Sequence, residues 1–294
     1  MKKILSIKAL PVFLFLSAAH FCLAQNLDSI AVVSAKWEKQ RIAPKTTLVI
    51  HHFKEKNLFS ANQNISYVEV KNNRKAVGFD IGYEVKELKT TATFGKENNA
   101  IAAVNGTFFD VKNGGSVDFI KVDGKEITQN RLEKNNKRAM HQQAAVVISK
   151  GKLSLKKWDG SEKWENNLQE EDIMLSGPLL SLNSKDEALD SVPFNTLRHP
   201  RSAIGIKPNG NVILLTIDGR NDNSAGVNLF ELTKIMRWLG CTSAINLDGG
   251  GSTTLWINTM PENGVINYPA DNKKWDHEGS RKVANVILIK HTKK

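Results

Sequence analysis

Two short apolar runs in the second half of the chain are rich in β-branched residues and predict neighbouring strands. Ser202–Ile206 and Val212–Ile217 are separated by Lys207–Gly210, whose proline, asparagine and glycine are typical of turns. Strands joined by so short a connection pair in an antiparallel manner. The pattern therefore predicts a β-hairpin.

The hydrophobic period changes after this hairpin. Between Val227 and Leu239 the apolar residues recur every three or four positions, as they do on one face of an α-helix. Ser224 suits the N-terminal cap of such a helix, and Gly240 suits its C-terminal stop. Ser243–Leu247 then predicts another strand. Residues 212–247 therefore predict a βαβ unit, whose crossover helix makes its two strands parallel.

The first half of the chain contains several strand-like runs and one short helical segment, Thr91–Asn98. No repeat and no Pro/Gly/Ser-rich linker divides the chain beyond residue 27, so we expect one domain over residues 27–294. The predicted fold class is a mixed α/β domain with a strand-rich first half. Strands are predicted at Thr46–His51, Ser66–Val70, Ala76–Tyr83, Ala100–Val104, Ala144–Ser149 and Lys152–Leu155.

Each strand of the predicted βαβ unit ends in an aspartate followed by glycine. Asp218-Gly219-Arg220 follows the first strand, and Asp248–Ser252 follows the second. Because parallel strands end at the same edge of a sheet, we expect Asp218 and Asp248 to lie close together. Open α/β sheets bind ligands at that edge.

This edge carries groups suited to a phosphate-bearing sugar. The glycines Gly249, Gly250 and Gly251 allow the backbone to approach an anion, Ser252 adds a hydroxyl donor, and Arg220 can grip phosphate with two donors. Glycoside hydrolysis commonly uses two carboxylates. A phosphate monoester, with a second pKa of about 6, leaves readily as an anion, so we expect that one carboxylate together with good phosphate donors can suffice. Simpler interpretations remain open: Asp-Gly turns, a glycine hairpin between flanking strands, and a surface ion pair of Arg220.

The segment Asn246–Thr254 resembles the signature of the phosphodiester glycosidase family. The resemblance covers about residues 45–290 and implies an α/β domain whose motifs meet at one pocket, where a glycosyl-phosphate linkage is hydrolysed. Two positions depart from the family pattern: Ser202 replaces a threonine, and Ser280 stands where an acid is expected. Four further segments match in the family's order: Ala103–Asp110, His199–Gly205, Thr216–Arg220, and Ile266–Pro269 with Arg281–Asn285.

Carried over position by position, the resemblance implies a pocket of ten residues. We hypothesise that Asp248 is the leading catalytic carboxylate and that Asp218 either assists it or holds an arginine. The three arginines of the set would neutralise phosphate, and the two asparagines would orient sugar hydroxyls. The ten residues are Asn105, Arg201, Asp218, Arg220, Asp248, Gly249, Gly250, Ser252, Asn267 and Arg281.

The first residues of the chain predict export. Three lysines precede the apolar stretch Ala9–Ala19, which is too short to cross a hydrocarbon core of about 30 Å. Cys22-Leu23-Ala24 supplies small residues at the positions before a cleavage site. We therefore predict a signal peptide over residues 1–24 and export to the periplasm or beyond; a membrane anchor and lipidation at Cys22 are alternatives. Cleavage lowers the formal charge from +11 to +8 and leaves Cys241 as the single cysteine, so no internal disulfide is expected.

The remaining sequence patterns limit which partners and cofactors the chain is expected to bind. The basic excess favours an anionic partner, here a phosphorylated glycan or glycosyl phosphate, or else reflects a solvated surface. No nucleic-acid-binding motif is present, and no segment after the signal peptide is long and apolar enough for membrane insertion. The histidines lack metal-ligand spacing and are expected to lie at the surface or in hydrogen bonds: His51, His52, His141, His199 and His277.

We accordingly expect no metal and no cofactor, with Ca²⁺ or Mg²⁺ held by Asp218 and Asp248 as an alternative. Two other function classes also remain open. One is a non-catalytic module that binds anionic glycans, and the other is a metal-dependent phosphodiesterase that cleaves the phosphorus–oxygen bond.

Overall fold

The computed structural model describes residues 27–73 and 75–292. The predicted signal peptide, residues 1–24, and the alternative lipidation site Cys22 lie outside the described residues. The helices are α1 at residues 27–34, α2 Thr91–Glu97, α3 Pro193–Thr196 and α4 Leu229–Trp238, with 3-10 turns at Lys134–Asn136, Met140–Gln142, Trp164–Asn167 and Gly250–Ser252. The strands are β1 Glu38–Ala43, β2 Thr46–Leu58, β3 Ala61–Val70, β4 Val77–Tyr83, β5 Ala102–Asn105, β6 Ile120–Val122, β7 Lys125–Thr128, β8 Ala144–Ser149, β9 Lys152–Lys157, β10 Asp172–Leu175, β11 Leu179–Leu182, β12 Lys185–Asp186, β13 Arg201–Ile206, β14 Val212–Ile217, β15 Ser243–Asn246, β16 Leu255–Ile257 and β17 Asn285–His291.

The described strands form three sheets, and all of their pairings are antiparallel. An eight-stranded sheet has the order β1-β2-β3-β14-β13-β15-β11-β12, a five-stranded sheet β7-β6-β10-β8-β9, and a four-stranded sheet β16-β5-β17-β4. The strands predicted in the first half correspond to β2, β3, β4, β5, β8 and β9, although β4 and β5 begin one and two residues later than predicted; the predicted helix Thr91–Asn98 corresponds to α2, which ends at Glu97. Across residues 27–73 and 75–292, no helix has the length and apolar character needed to cross a membrane. The domain limits 27–294 stay a prediction.

The predicted fold class, mixed α/β with a βαβ unit at about 212–247, is wrong. The predicted hairpin forms from β13 and β14, and β13 also pairs with β15 in antiparallel register. Because β13 occupies the place beside β14, the connection through α4 carries the chain past it and adds β15 on the far side. Since β14 and β15 both oppose β13, they run in the same direction and end at the same edge of the sheet. Ile217 faces Arg201 there, and Asn246 faces Ala203.

The burial of β14 on both faces explains why its sequence is misleading. Val212 and Leu214 pack in the core that joins the eight-stranded sheet to the other two sheets, whereas Ile213, Leu215 and Ile217 pack beneath α4. A strand covered on both faces has no apolar–polar alternation. Such unbroken runs are typical of parallel strands in α/β proteins, so the pattern favoured the wrong topology.

Helix α4 begins slightly later than the apolar pattern predicts. The Asn228 side chain accepts the N–H of Glu231 at 2.8 Å, and Glu231 accepts the N–H of Asn228 at 3.0 Å, which forms a capping box. The predicted cap, Ser224, has another role. Its hydroxyl donates to the Asp218 carbonyl at 2.7 Å and so fixes the loop that follows β14.

Candidate active site

The end of β5 binds the turn that follows β15, and these two segments define the centre of the site. The Asn105 side-chain amide donates to the Asp248 carbonyl at 2.6 Å, and the Asp248 N–H donates to the Gly106 carbonyl at 3.0 Å. Asn105 also accepts the Ser202 hydroxyl at 2.6 Å and the Thr254 N–H at 3.2 Å. Asn105 is fully buried, so it holds the Asp248 loop in place from below.

The glycine turn after Asp248 crosses from one sheet to another. β15 belongs to the eight-stranded sheet, whereas β16 belongs to the four-stranded sheet, so the turn is not the hairpin considered from the sequence. A Cβ on Gly249 would lie 2.7 Å from the Pro200 carbonyl oxygen, and Gly250 has a φ of +62°. Side chains at these two positions would therefore clash or strain the backbone. The Gly250 N–H donates to Pro200 at 2.9 Å, so this N–H is occupied within the protein.

Asp248 is a partly exposed carboxylate at this turn. Its Oδ1 accepts the N–H of Gly249 at 2.9 Å. Burial raises the pKa of Asp248 to about 6, and the negative charge of Asp118 adds to this rise. The Ser252 hydroxyl, the Gly249 N–H and the positive charge of Arg281 lower the pKa and offset part of it. The Ser252 hydroxyl lies near the carboxyl without meeting hydrogen-bond geometry. Asp248 therefore combines accessibility with a perturbed pKa, which is a common property of catalytic carboxylates.

Several buried polar atoms around the turn lack a hydrogen-bond partner among the described residues. They are Ser252 Oγ, Thr253 Oγ1, Asn246 Oδ1 and Asn285 Nδ2. Buried polar groups are normally paired, and their concentration beside Asp248 marks this segment as unusually polar for a buried region.

Asp218 has a different environment from Asp248. It is 1% exposed, and both of its oxygens accept hydrogen bonds: Oδ2 from the Asn64 side chain at 2.8 Å, and Oδ1 from the Asn267 side chain at 2.8 Å and the Tyr268 N–H at 2.9 Å. Burial raises the pKa of Asp218, and these donors lower it. Asn267 also donates to the Thr253 carbonyl at 3.0 Å. Asp218 and Asn267 thus tie the end of β14 to the chain beyond the glycine turn.

The three predicted arginines occupy three environments. Arg201 is 1% exposed and donates to the carbonyls of Phe194, Leu197 and Val227; burial and then the Arg220 charge lower its pKa to about 10. Arg281 pairs with Asp271 at 2.6 Å and lies against Gly251, where a Cβ would be 2.6 Å from its Nη2.

Arg220 is exposed and forms no ion pair with any acid of the described residues. Its guanidinium lies 3.4 Å from His199 Nδ1 and packs against Gly250, where an added Cβ would be 3.1 Å from Nη2. Of the three arginines, it is the one most available to an anion.

A cavity of about 400 Å³ opens beside Arg220. One wall is aromatic, because Tyr268 and Trp275 stack with ring centroids 4.0 Å apart and an interplanar angle of 3°. The lining is Gly219, Arg220, Asn221, Tyr268, Ala270, Asp271, Lys273, Lys274 and Trp275. With three cations and one carboxylate that is already paired with Arg281, the cavity favours an anionic ligand.

Sequence reasoning missed an aspartate–histidine pair near this centre. Asp118 is fully buried; its Oδ1 accepts Nδ1 of His141 at 2.7 Å and the Gln142 side chain at 3.0 Å, and its Oδ2 accepts the Thr107 hydroxyl at 2.6 Å. His141 lies in a 3-10 turn, and Asp118 lies in the loop before β6, where no period marks either residue. The one available signal was Thr107, which lies inside the recognised segment Ala103–Asp110.

No group of three or more His, Cys, Asp or Glu side chains able to hold a metal ion occurs in the part of the chain that the structure describes. The expectations about metals and cofactors stay predictions. The other predicted pocket residues converge on the edge where β5, β14 and β15 end, with Arg201 beneath the surface.

Comparisons with known proteins agree with the sequence motifs. The mouse (Mus musculus) N-acetylglucosamine-1-phosphodiester alpha-N-acetylglucosaminidase is 32% identical over 99 residues, which are 33% of this chain and 18% of that protein. The uncharacterized protein YomE, derived from the SPbeta prophage of Bacillus subtilis, is 36% identical over 75 residues, 26% of this chain and 11% of that protein. The chain thus spans less than a fifth of these curated relatives.

A solved structure shows the same fold over most of the chain. The zebrafish N-acetylglucosamine-1-phosphodiester alpha-N-acetylglucosaminidase catalytic domain, auto-inhibited by its pro-peptide, superposes with a TM-score of 0.64 at 19% identity, covering 91% of this chain and 92% of that one. The family model described as phosphodiester glycosidase matches residues 98–290, which is the greater part of the sequence. The prediction made from the motifs is confirmed: the chain belongs to the phosphodiester glycosidase family, a family of enzymes.

Proposed function

We propose that this chain is a hydrolase that cleaves the glycosidic bond between a sugar and a phosphodiester-linked partner. The observation that carries the proposal is the environment of Asp248: a partly exposed residue whose carboxyl has its pKa raised to about 6, in a turn where Gly250 lies against Arg220, a cavity cation that forms no ion pair among the described residues. The membership of the chain in the phosphodiester glycosidase family supports the same class of reaction.

The surroundings of the two aspartates support a division of labour between them. Asp248 acts on the anomeric carbon, because it is the accessible carboxylate. Asp218 is enclosed by three donors and positions Asn267 and the Tyr268 backbone. The alternative in which Asp218 holds an arginine has no support, since its side-chain partners are two asparagines and a backbone N–H.

The cations beside Asp248 suit the phosphate. Arg220 and the two lysines of the cavity, Lys273 and Lys274, would neutralise phosphate oxygens, while Arg281 pairs with Asp271 of the cavity and its charge acts on the Asp248 carboxyl. A phosphate monoester leaves without protonation, so these cations would replace the acid that an alcohol leaving group needs. The carbon–oxygen bond of the sugar is then the bond that breaks.

The substrate and the place of action belong to the same proposal. N-acetylglucosamine is the sugar to test first, because the mouse and zebrafish relatives are named for it. Export rests on the pattern of residues 1–24, and periplasm, cell surface and medium are equally compatible with it.

The test is hydrolysis of a methyl N-acetylglucosamine-1-phosphate diester and of UDP-N-acetylglucosamine by the purified protein, with and without EDTA. Asp248→Asn should reduce turnover at least a hundredfold, whereas Asp190→Asn, at an exposed carboxylate outside the site, should not change it. In ¹⁸O-labelled water the label should appear in the sugar.

Other outcomes would replace the proposal. Label in the phosphate together with loss of activity in EDTA would indicate a metal-dependent phosphodiesterase. Binding of both ligands without product, and unchanged by Asp248→Asn, would indicate a glycan-binding module.

A further inference from the structure

The Asp118–His141 pair consists of a buried carboxylate bound to an oriented imidazole, which is an arrangement suited to proton transfer. Asp118 is fully buried and accepts three hydrogen bonds on its two oxygens, from Thr107, His141 and Gln142. The imidazole is held by a second contact, because it stacks on the Phe108 ring at 4.3 Å and an interplanar angle of 28°. Its orientation is therefore fixed from two directions.

The hydrogen bond to Asp118 determines which nitrogen of His141 is available. A carboxylate has no proton to give, so Nδ1 donates the proton of this bond, and Nε2 of the neutral ring carries the lone pair. No described residue forms a hydrogen bond to Nε2, and the side chain is 24% exposed. The ring thus presents a base to the solvent side of the site.

One four-residue segment connects this pair to Asp248. Asn105 and Gly106 bind the backbone of Asp248, Thr107 binds Asp118, and Phe108 stacks on His141. Three residues of extended chain span at most about 11 Å. Paired catalytic groups of glycosidases lie about 5–9.5 Å apart. Because the Asp248 backbone is bound at one end of this segment and the His141 ring packs at its other end, the points at which the segment anchors the two centres lie no further apart than the extended length of the segment.

We propose that His141 is the general base that activates water in the hydrolysis, and that Asp118 orients it; this inference rests on the proposed function. The reaction needs this base because the phosphate leaves as an anion and removes no proton from water. The water oxygen bonds to the anomeric carbon while its proton moves to His141 Nε2. The bond from that carbon to the leaving oxygen, of phosphate or of an ester with Asp248, breaks with its electron pair on that oxygen.

The test is steady-state kinetics of His141→Asn on the methyl N-acetylglucosamine-1-phosphate diester, with and without sodium azide. Loss of a general base should lower kcat about 10²–10⁴-fold with little change in KM. Azide attacks carbon without losing a proton, so it should restore turnover of the variant and yield a glycosyl azide. His291→Gln, at an exposed histidine at the end of β17, is the matched control and should keep wild-type kinetics.

The second variant is Asp118→Asn, which should also lower kcat and respond to azide, because the amide would favour the wrong tautomer of His141. Thermal unfolding of each variant establishes that it is folded. A folded His141→Asn variant with unchanged kcat, or with a reduced kcat that azide does not restore, would overturn the role of His141 but leave the proposed function standing. No sugar release by the wild-type protein from either test substrate would overturn the proposed function and the role of His141 with it.

Discussion

Replacing Asp248 by asparagine should remove activity and increase stability. Burial raises the pKa of this carboxyl from 3.8 to about 6, so the folded state disfavours its charge. Two pKa units correspond to about 3 kcal/mol. Because Asp248 is partly exposed, solvent screening reduces this figure, and we take about 1–2 kcal/mol. Asparagine keeps an oxygen for the Gly249 N–H, so the turn retains this hydrogen bond.

The sign of this effect depends on pH. A carboxyl whose pKa is raised on folding contributes stability below its unfolded pKa, and this contribution is lost as pH rises through the folded pKa. The advantage of Asp248→Asn should therefore be full above pH 7, shrink through pH 6 and vanish near pH 4.

The assay is calorimetric unfolding of both proteins at pH 4, 6 and 8, beside the activity measurement. About 1–2 kcal/mol corresponds to a rise in Tm of about 2–8 °C at pH 8 for a domain of this size. A lower Tm for Asp248→Asn at pH 8, or a difference independent of pH, would refute the reasoning, since the charge would then stabilise the fold.

Three further predictions follow from the same contacts. Arg220→Gln removes an exposed cation that forms no ion pair in the described chain, so it should raise KM about 10–100-fold with an unchanged Tm, and a KM equal to that of wild type would contradict the phosphate role. Asn267→Ala removes one of the three hydrogen-bond donors to the buried Asp218 and the side-chain acceptor of the Leu255 N–H, so the free energy of unfolding by urea should fall by about 2–4 kcal/mol; a fall below about 1 kcal/mol would contradict it. If Asp248 acts as a carboxylate, kcat should fall as pH drops through about 6, and a pH profile flat from 5 to 8 would count against its role.

The sequence predicted local structure more successfully than topology. The hairpin β13–β14 and the helix α4 were recognisable because turn residues and a helical period marked them. The order of strands was not, because the run Val212–Ile217 is buried on both faces and so lacks the alternation of an ordinary antiparallel strand. The inference that Asp218 and Asp248 share an edge used a parallel pair, whereas in the structure two strands opposed to β13 produce it.

In the candidate site, too, the sequence predicted which backbone positions lie together better than it predicted where the side chains point. Glycines and aspartates directly after strands could be found, because their position follows from where a strand ends. Whether a side chain faces the pocket depends on packing from distant segments, and Arg201, predicted to bind phosphate, is directed to the carbonyls of Phe194, Leu197 and Val227. His141 approaches from a 3-10 turn in another part of the chain, and no pattern around it indicates a buried aspartate 23 positions away.

The segment Asn105–Phe108 shows why one short motif can matter more than any single catalytic residue. Its four residues have successive and different tasks: the first two hold the Asp248 backbone, the third binds Asp118, and the fourth packs against His141. These bonds hold the Asp248 backbone at one end of the segment and the Asp118–His141 pair at the other, so the length of the segment contributes to the separation of the two centres. An insertion or deletion here would move both centres relative to each other while leaving each intact. Under the proposed mechanism, Asp248 and the water activated by His141 both act at the anomeric carbon, so the spacing of this motif, rather than the identity of one side chain, would decide whether both can reach it.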